Sequence, residues 1–127
     1  MSRSALLALM LLAAACGADG AGPGSVSGCA DVVAAVAQVQ PDGNYGFEVT
    51  IRSADTGWDK YADLWEVRNA DGVVLGTREL LHPHVDEQPF TRSLDGVEVP
   101  GDLTSVVVAA HDSVEGFCGE TVAVELP

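Results

Sequence analysis

Basic residues are scarce in this sequence. Six Lys and Arg stand against 19 Asp and Glu, which gives a formal net charge of −13. A polyanion repels nucleic-acid phosphates, so we predict no nucleic-acid partner.

The chain also lacks a Gly-x-Ser-x-Gly elbow, a phosphate-binding glycine loop and a Cys-x-x-Cys pair. His111, Asp112 and Ser113 are sequence neighbours, whereas a catalytic triad converges from separate segments. We therefore predict that the protein is not an enzyme.

A long hydrophobic run is also lacking. The longest, Ala5–Ala15, has eleven residues, and a membrane-spanning helix needs about 20. The run follows Arg3 and shows no polar face, which is typical of the apolar region of a signal peptide rather than of a core helix. The sequence predicts an exported protein whose residues 1–15 form the signal peptide.

Cysteines are few: Cys16, Cys29 and Cys118. The segment Ala13–Cys16 resembles a bacterial lipobox, with Ala13 where that motif usually has Leu. The resemblance implies that Cys16 becomes the lipidated first residue of a membrane-anchored lipoprotein of the cell envelope. Ordinary cleavage after Ala15 is the alternative. If Cys16 carries lipid, Cys29 and Cys118 remain as a pair that is free to form a disulfide in an oxidising compartment.

Residues 16–28 are rich in Gly, Ala and Ser and form the predicted flexible tether, with a reach of roughly 20 Å. In the lipoproteins that this N-terminus resembles, an Asp directly after the lipidated Cys is the commonest inner-membrane retention signal. This chain has Gly17 at that position. In a cell with an outer membrane, we therefore expect that membrane to hold the protein, facing the periplasm. The expected partners are the membrane, through the lipid, and an unidentified envelope protein or ligand.

Residues 29–127 form the predicted folded domain. Valine-rich segments recur between Gly, Pro and Asn-Asp turn signals, and several alternate apolar with polar residues, as half-buried strands do. We predict an all-β fold, an immunoglobulin-like or fibronectin-III-like antiparallel sandwich of two sheets with seven to eight strands and Trp65 in its core. The expected strands are 31–40, 45–53, 61–68, 73–81, 90–94, 97–99, 103–111 and 121–126, with a turn at Asp95-Gly96 between 90–94 and 97–99.

The densest chemistry lies in residues 82–92. Pro83 favours an extended chain at His82, which would direct His82, His84 and Asp86 to the same side. With His111 as a third ligand, these residues are candidates for a zinc or copper site. The alternative is that the histidines only hydrogen-bond within a proline-stiffened connection at a sheet edge. We expect no cofactor unless such a metal binds.

Gly76, followed after five residues by His82 and His84, resembles the start of the first cupin motif. That resemblance implies that the two histidines bind a metal. The chain departs from it at Glu87, which comes one residue too early for the cupin Glu. It has no second cupin motif, and it is short for a cupin barrel.

A second candidate is the segment 55–63, in which acids lie close to aromatics. It predicts either a calcium clamp, which needs five or more convergent oxygens, or a ligand-facing pair, Trp58 and Asp59. A turn covered by a packed aromatic ring is the structural alternative.

Segments 58–68, 82–94 and 110–117 together resemble a group of short exported bacterial proteins of uncharacterised function. In that group His often stands at the position of Glu115 and Gly at that of Cys118. The resemblance implies no activity. We predict a lipid-anchored, acidic β-sandwich that acts as a binding or structural module of the envelope, with metal binding as the alternative.

Overall fold

A computed structural model describes residues 28–127 as seven β-strands. The predicted signal peptide, Cys16 and the tether as far as residue 27 lie outside the described residues. Within residues 28–127, no helix is long and apolar enough to cross a membrane. The strands are β1 Asp31–Val39, β2 Tyr45–Arg52, β3 Ala62–Arg68, β4 Val74–Glu79, β5 Phe90–Val97, β6 Ser105–Asp112 and β7 Val122–Glu125.

The strands form two antiparallel sheets. One sheet has three strands in the order β1-β2-β5, and the other has four in the order β4-β3-β6-β7. Their inner faces enclose one hydrophobic cluster. The prediction of an all-β two-sheet sandwich with seven to eight strands is confirmed.

The core follows from alternation along the strands. On β2, Phe47, Val49 and Ile51 are at most 1% exposed, and the residues between them face outward or lie half-buried. On β3, Trp65 and Val67 are fully buried, which confirms the prediction of Trp65 in the core. Burying each such side chain stabilises the fold by about 1.5–3 kcal/mol. The apolar residues therefore decide which face of each strand turns toward the core.

β5 differs from the expectation. We predicted that Asp95-Gly96 makes a turn between two short strands, but one strand runs through both residues. Tyr45 pairs with Val97 and Phe47 with Leu94, so β5 contains one residue more than β2 across this interval. Gly96, at φ +70°, supplies the left-handed conformation that such a bulge favours. The predicted turn was wrong because glycine absorbs the extra residue within the strand.

The predicted disulfide is confirmed. Cys29 and Cys118 are bridged with their Cα atoms 5.5 Å apart, across a sequence separation of 89 residues. The bridge joins the start of β1 to the β6–β7 connection. Next to it, Gly119 lies against the carbonyl group of Ala30, so closely that a β-carbon would overlap it.

Candidate functional site

The candidate segments 55–63 and 82–92, together with His111, lie at one end of the sandwich. Ile51 near the end of β2 pairs with Phe90 at the start of β5, and Ala62 at the start of β3 pairs with Asp112 at the end of β6. The connections 53–61, 80–89 and 113–121 therefore meet at this end. Asp31 at the start of β1 pairs with Arg52, so the chain also enters the domain here. We call this region, with residues 28–30, the loop end.

Asp55 ties two of these connections together. Its side chain is 8% exposed. One carboxylate oxygen accepts hydrogen bonds from the Ser53 hydroxyl at 2.7 Å and the Ala62 backbone N–H at 2.9 Å, and the other accepts from the His84 backbone N–H at 2.8 Å. Asp55 thus fixes the connection 80–89 against the start of β3. Both of its carboxylate oxygens accept hydrogen bonds from the protein, whereas the structural alternative to a calcium clamp expected solvated acids.

His84 is built into the edge of the core. It is 4% exposed, and its ring stacks on Phe90 with centroids 3.9 Å apart and planes inclined by 7°. Its Nε2 lies 2.8 Å from an Arg92 guanidinium nitrogen. Because a guanidinium only donates, Nε2 accepts, and the ring proton of the neutral histidine lies on Nδ1. Burial lowers the pKa of His84, and the positive charges of Arg92 and His82 lower it further.

This arrangement bears on the metal hypothesis. The His82 and His84 rings are 4.4 Å apart, so the structure does bring this pair together. The single lone pair of neutral His84 is directed at Arg92, and a cation there would have to displace a guanidinium of like charge. His82 is exposed, and its Nδ1 lies 2.9 Å from the Pro83 carbonyl oxygen.

The other expected ligands do not complete the site. His111 lies on β6, where Nδ1 is 2.6 Å from a carboxylate oxygen of Asp63 and the ring meets Phe117 edge-on at 4.8 Å. Asp86 is exposed on the connection. Among the described residues, no group of three or more His, Cys, Asp or Glu side chains is placed to hold a metal ion. Of the metal-site candidates, His82 and His84 have their rings close together, so the cupin-like segment contributes a pair rather than a ligand set.

Sequence reasoning missed a buried ion pair at the loop end. Asp112 is 0% exposed, and one of its oxygens lies 2.6 Å from Lys60 Nζ. The other accepts the backbone N–H groups of Val114 and Glu115 at 3.0 and 2.9 Å. Burial alone would raise the pKa of Asp112, but the bonds from Lys60 and the two N–H groups outweigh it, and the pKa is lowered. The available signal was that Lys60 is the single lysine of an acidic chain.

Lys60 also holds the place where the chain enters. Its ammonium group donates a hydrogen bond to the Gly28 carbonyl oxygen. Gly28 has φ +96°, a conformation that glycine adopts readily and other residues rarely do. A β-carbon at Gly28 would lie 3.7 Å from Lys60 Cε and 3.8 Å from Glu115 Cγ. The chain therefore enters the domain between Lys60 of the connection 53–61 and Glu115 of the connection 113–121.

The tips of the loop end expose apolar side chains. Trp58 is 69% exposed, with its ring edge-on to Tyr61 at 5.6 Å, so it does not form the packed lid of the structural alternative. Leu81, Val85 and Val114 are 73%, 50% and 61% exposed. We call Trp58, Leu81, Val85 and Val114 the apolar tips. Asp59, the other predicted ligand-facing residue, is exposed beside Trp58.

A groove lies at the opposite end of the sandwich. It measures about 430 Å³ and lies between the start of β4 and the β5–β6 connection. Its lining combines apolar residues with one acid: Val74, Leu75, Glu98, Val99 and Pro100. The neighbouring Val73 and Val74 are 55% and 48% exposed. This apolar surface was not foreseen from the sequence, which directed attention to the histidines.

Comparison with known proteins gives one informative relative. The chain is 47% identical over 79 residues to a protein of Halomicrobium mukohataei named "Putative lipoprotein". The match covers 62% of this chain and 38% of the relative, so the chain spans well under half of that protein's length. The chain matches no protein-family model. It matches no solved structure.

Proposed function

We propose that this protein is a lipid-anchored module of the cell envelope whose β-sandwich serves binding or structure and performs no catalysis. The observation that carries the proposal is the state of the polar groups at the loop end. Asp55 joins two connections, Asp112 ties Lys60 to the end of β6, and the buried His84 contacts Arg92 on β5. These contacts are made within the protein, as expected of groups that stabilise the fold.

Support for the anchor comes from the sequence and from the relative. The segment Ala13–Cys16 has the pattern of a lipidation site, and the partly matching protein bears the name of a lipoprotein. With Cys16 lipidated, the remaining two cysteines are those of the disulfide. In a cell with an outer membrane, we propose the periplasmic side of that membrane as the location, because Gly17 follows Cys16.

We further propose that the sandwich is of the immunoglobulin or fibronectin-III type. The grouping of the first, second and fifth strands against the third, fourth, sixth and seventh supports this assignment. The fully buried Trp65 on the third strand is a second feature in its favour. The groove at the far end, distant from the point where the chain enters, is the surface that we propose for an envelope partner.

The anchor is tested by expressing the full chain and its Cys16→Ser variant in an exporting host. We expect the unmodified chain to stay in the membrane fraction after a high-salt wash and the variant to be released. A released unmodified chain would contradict the proposal. Cys29→Ser/Cys118→Ser is the matched control, because it removes two other cysteines and should leave the anchor intact.

The part of the proposal that concerns metal is tested by elemental analysis. Tag-free protein, purified without chelator, should carry no stoichiometric zinc or copper. Adding either ion should change the melting temperature of the unmodified protein no more than that of the His82→Ala/His84→Ala variant. Stoichiometric metal that disappears in the double variant would instead support a metal site at the His82/His84 pair.

A further inference from the structure

We propose that the loop end is a membrane-contacting face, whose apolar tips insert into the interfacial layer of a bilayer with little surface charge. The inference deepens the proposed lipid anchor and rests on it. Its starting observation is that all three connections at this end carry exposed apolar residues. Two aromatic side chains are among the exposed large apolar residues, and Trp58 is the more exposed of them.

The place where the chain enters orients this end. Gly28 lies between Lys60 and Glu115, neighbours of the tips Trp58 and Val114. From Cys16 to Gly28 the chain has twelve residues to cover, at most about 40 Å when fully extended and roughly 20 Å on average. A lipid on Cys16 would therefore hold the point where the chain enters, at the loop end, within about 40 Å of the bilayer.

The side chains suit that position. Tryptophan favours the membrane–water interface, where its ring is apolar and its N–H is hydrated. Leu81 and Val85 supply further apolar area on the connection that Asp55 fixes at His84. Buried hydrogen bonds fix the connection 53–61 relative to the connection 80–89 and to the end of β6, which carry the tips or lie next to them.

Charge selects the kind of bilayer. Exposed acids flank the tips: Asp59, Asp86, Glu87 and Glu115. Of the cations at this end, Lys60 is paired with Asp112 and Arg92 with Glu87 at 3.3 Å, and the exposed Arg52 leaves the exposed acids in excess. An anionic surface would repel this rim within about 10 Å at 0.1 M salt. The expected occupant is therefore a bilayer of zwitterionic headgroups, or an anionic one only at high salt.

The two tryptophans provide the test. Lipidated full-length protein is placed in phosphatidylcholine vesicles whose acyl chains carry bromine, which quenches nearby indole emission. Trp58 should lose most of its emission and become shielded from aqueous acrylamide, while the buried Trp65 should keep its emission. Trp58→Phe should abolish the quenching. Adding phosphatidylglycerol at low salt should weaken it, and added NaCl should restore it.

Two variants serve as matched controls. Val73→Trp in the Trp58→Phe background places an indole at the opposite end, where 55% exposure of the native residue leaves room for it, and it should remain unquenched. Leu81→Glu should reduce the quenching of Trp58, whereas Val36→Glu, on β1, should not. Unchanged Trp65 emission shows that each variant is folded.

The outcomes separate this inference from the anchor. If the protein is lipidated and bound but Trp58 is open to acrylamide and unquenched by lipid, the membrane face is refuted and the anchor stands. If Trp58 is shielded from acrylamide without lipid quenching, a protein covers the tips and the inference is again overturned. If Cys16 carries no lipid, the anchor and the inference both fail.

Discussion

Replacing Asp112 with Asn is the sharpest test of how the loop end is held. Asp112 is fully buried and bonded to Lys60 at 2.6 Å, and its second oxygen caps the turn through Val114 and Glu115. Asn keeps the shape and can still accept the two turn N–H groups. It removes the negative charge and turns an amide donor toward the Lys60 ammonium, which has only donors.

The expected magnitude follows from burial. Removing one partner of a fully buried ion pair costs about 3–5 kcal/mol. The Lys60 side chain is 21% exposed and retains the Gly28 carbonyl oxygen as an acceptor, so we expect a smaller loss of about 2–3 kcal/mol in the free energy of unfolding. For a domain of this size that corresponds to a fall in melting temperature of roughly 10–20 °C.

The loss should depend on pH in a defined direction. The pKa of Asp112 lies below its usual 3.8 in the folded protein. The ionised carboxylate therefore contributes its stability above about pH 4 and loses it as the pH falls through the folded-state pKa. The gap between the unmodified protein and Asp112→Asn should be full at pH 7 and should narrow below pH 4.

The assay is thermal and urea unfolding followed by circular dichroism at pH 7 and at pH 3, with the disulfide intact. Asp102→Asn, at an exposed position, is the matched control and should change the free energy of unfolding by no more than about 0.5 kcal/mol. The reasoning is refuted if Asp112→Asn behaves like this control at pH 7. It is also refuted if the gap between the unmodified protein and Asp112→Asn is the same at both pH values.

Three further predictions concern the fold. Reducing the Cys29–Cys118 bridge, which spans 89 residues, should lower the free energy of unfolding by up to about 4–5 kcal/mol; a urea midpoint unmoved by reductant would contradict this. Gly119→Ala should destabilise by at least about 2 kcal/mol because its β-carbon overlaps the Ala30 carbonyl group, whereas Gly101→Ala, with open space around it, should melt like the parent. Raising NaCl from 0.1 to 1 M should increase the melting temperature because it screens the repulsion within a chain of net charge −13; a decrease would show that attractive pairs dominate.

Strand faces were predictable because burial alternates with a period of two. Alternation in the sequence places Phe47, Val49 and Ile51 on one face of β2, and Trp65 and Val67 on one face of β3, and the structure buries both sets. The bulge at Gly96 was not predictable in this way. An Asp-Gly pair suits a turn equally well, and only the pairing with β2 decides between them.

The loop end was only partly predictable. Its two buried carboxylates bind groups that are distant in the sequence. Asp55 accepts a hydrogen bond from His84, 29 residues away, and Asp112 accepts one from Lys60, 52 residues away. No local pattern encodes such contacts. Proximity along the chain suggested a shared direction for His82, His84 and Asp86, whereas burial separates His84 from the other two. The grouping of candidate loops with the point where the chain enters required the strand register.

The proposed anchor is tested most directly by intact-mass analysis of the mature protein recovered from membranes. We predict a chain that begins at Cys16 and carries the added mass of a diacylglycerol-type lipid on that residue. An unlipidated N-terminus, or one that begins at a residue other than Cys16, would contradict the account.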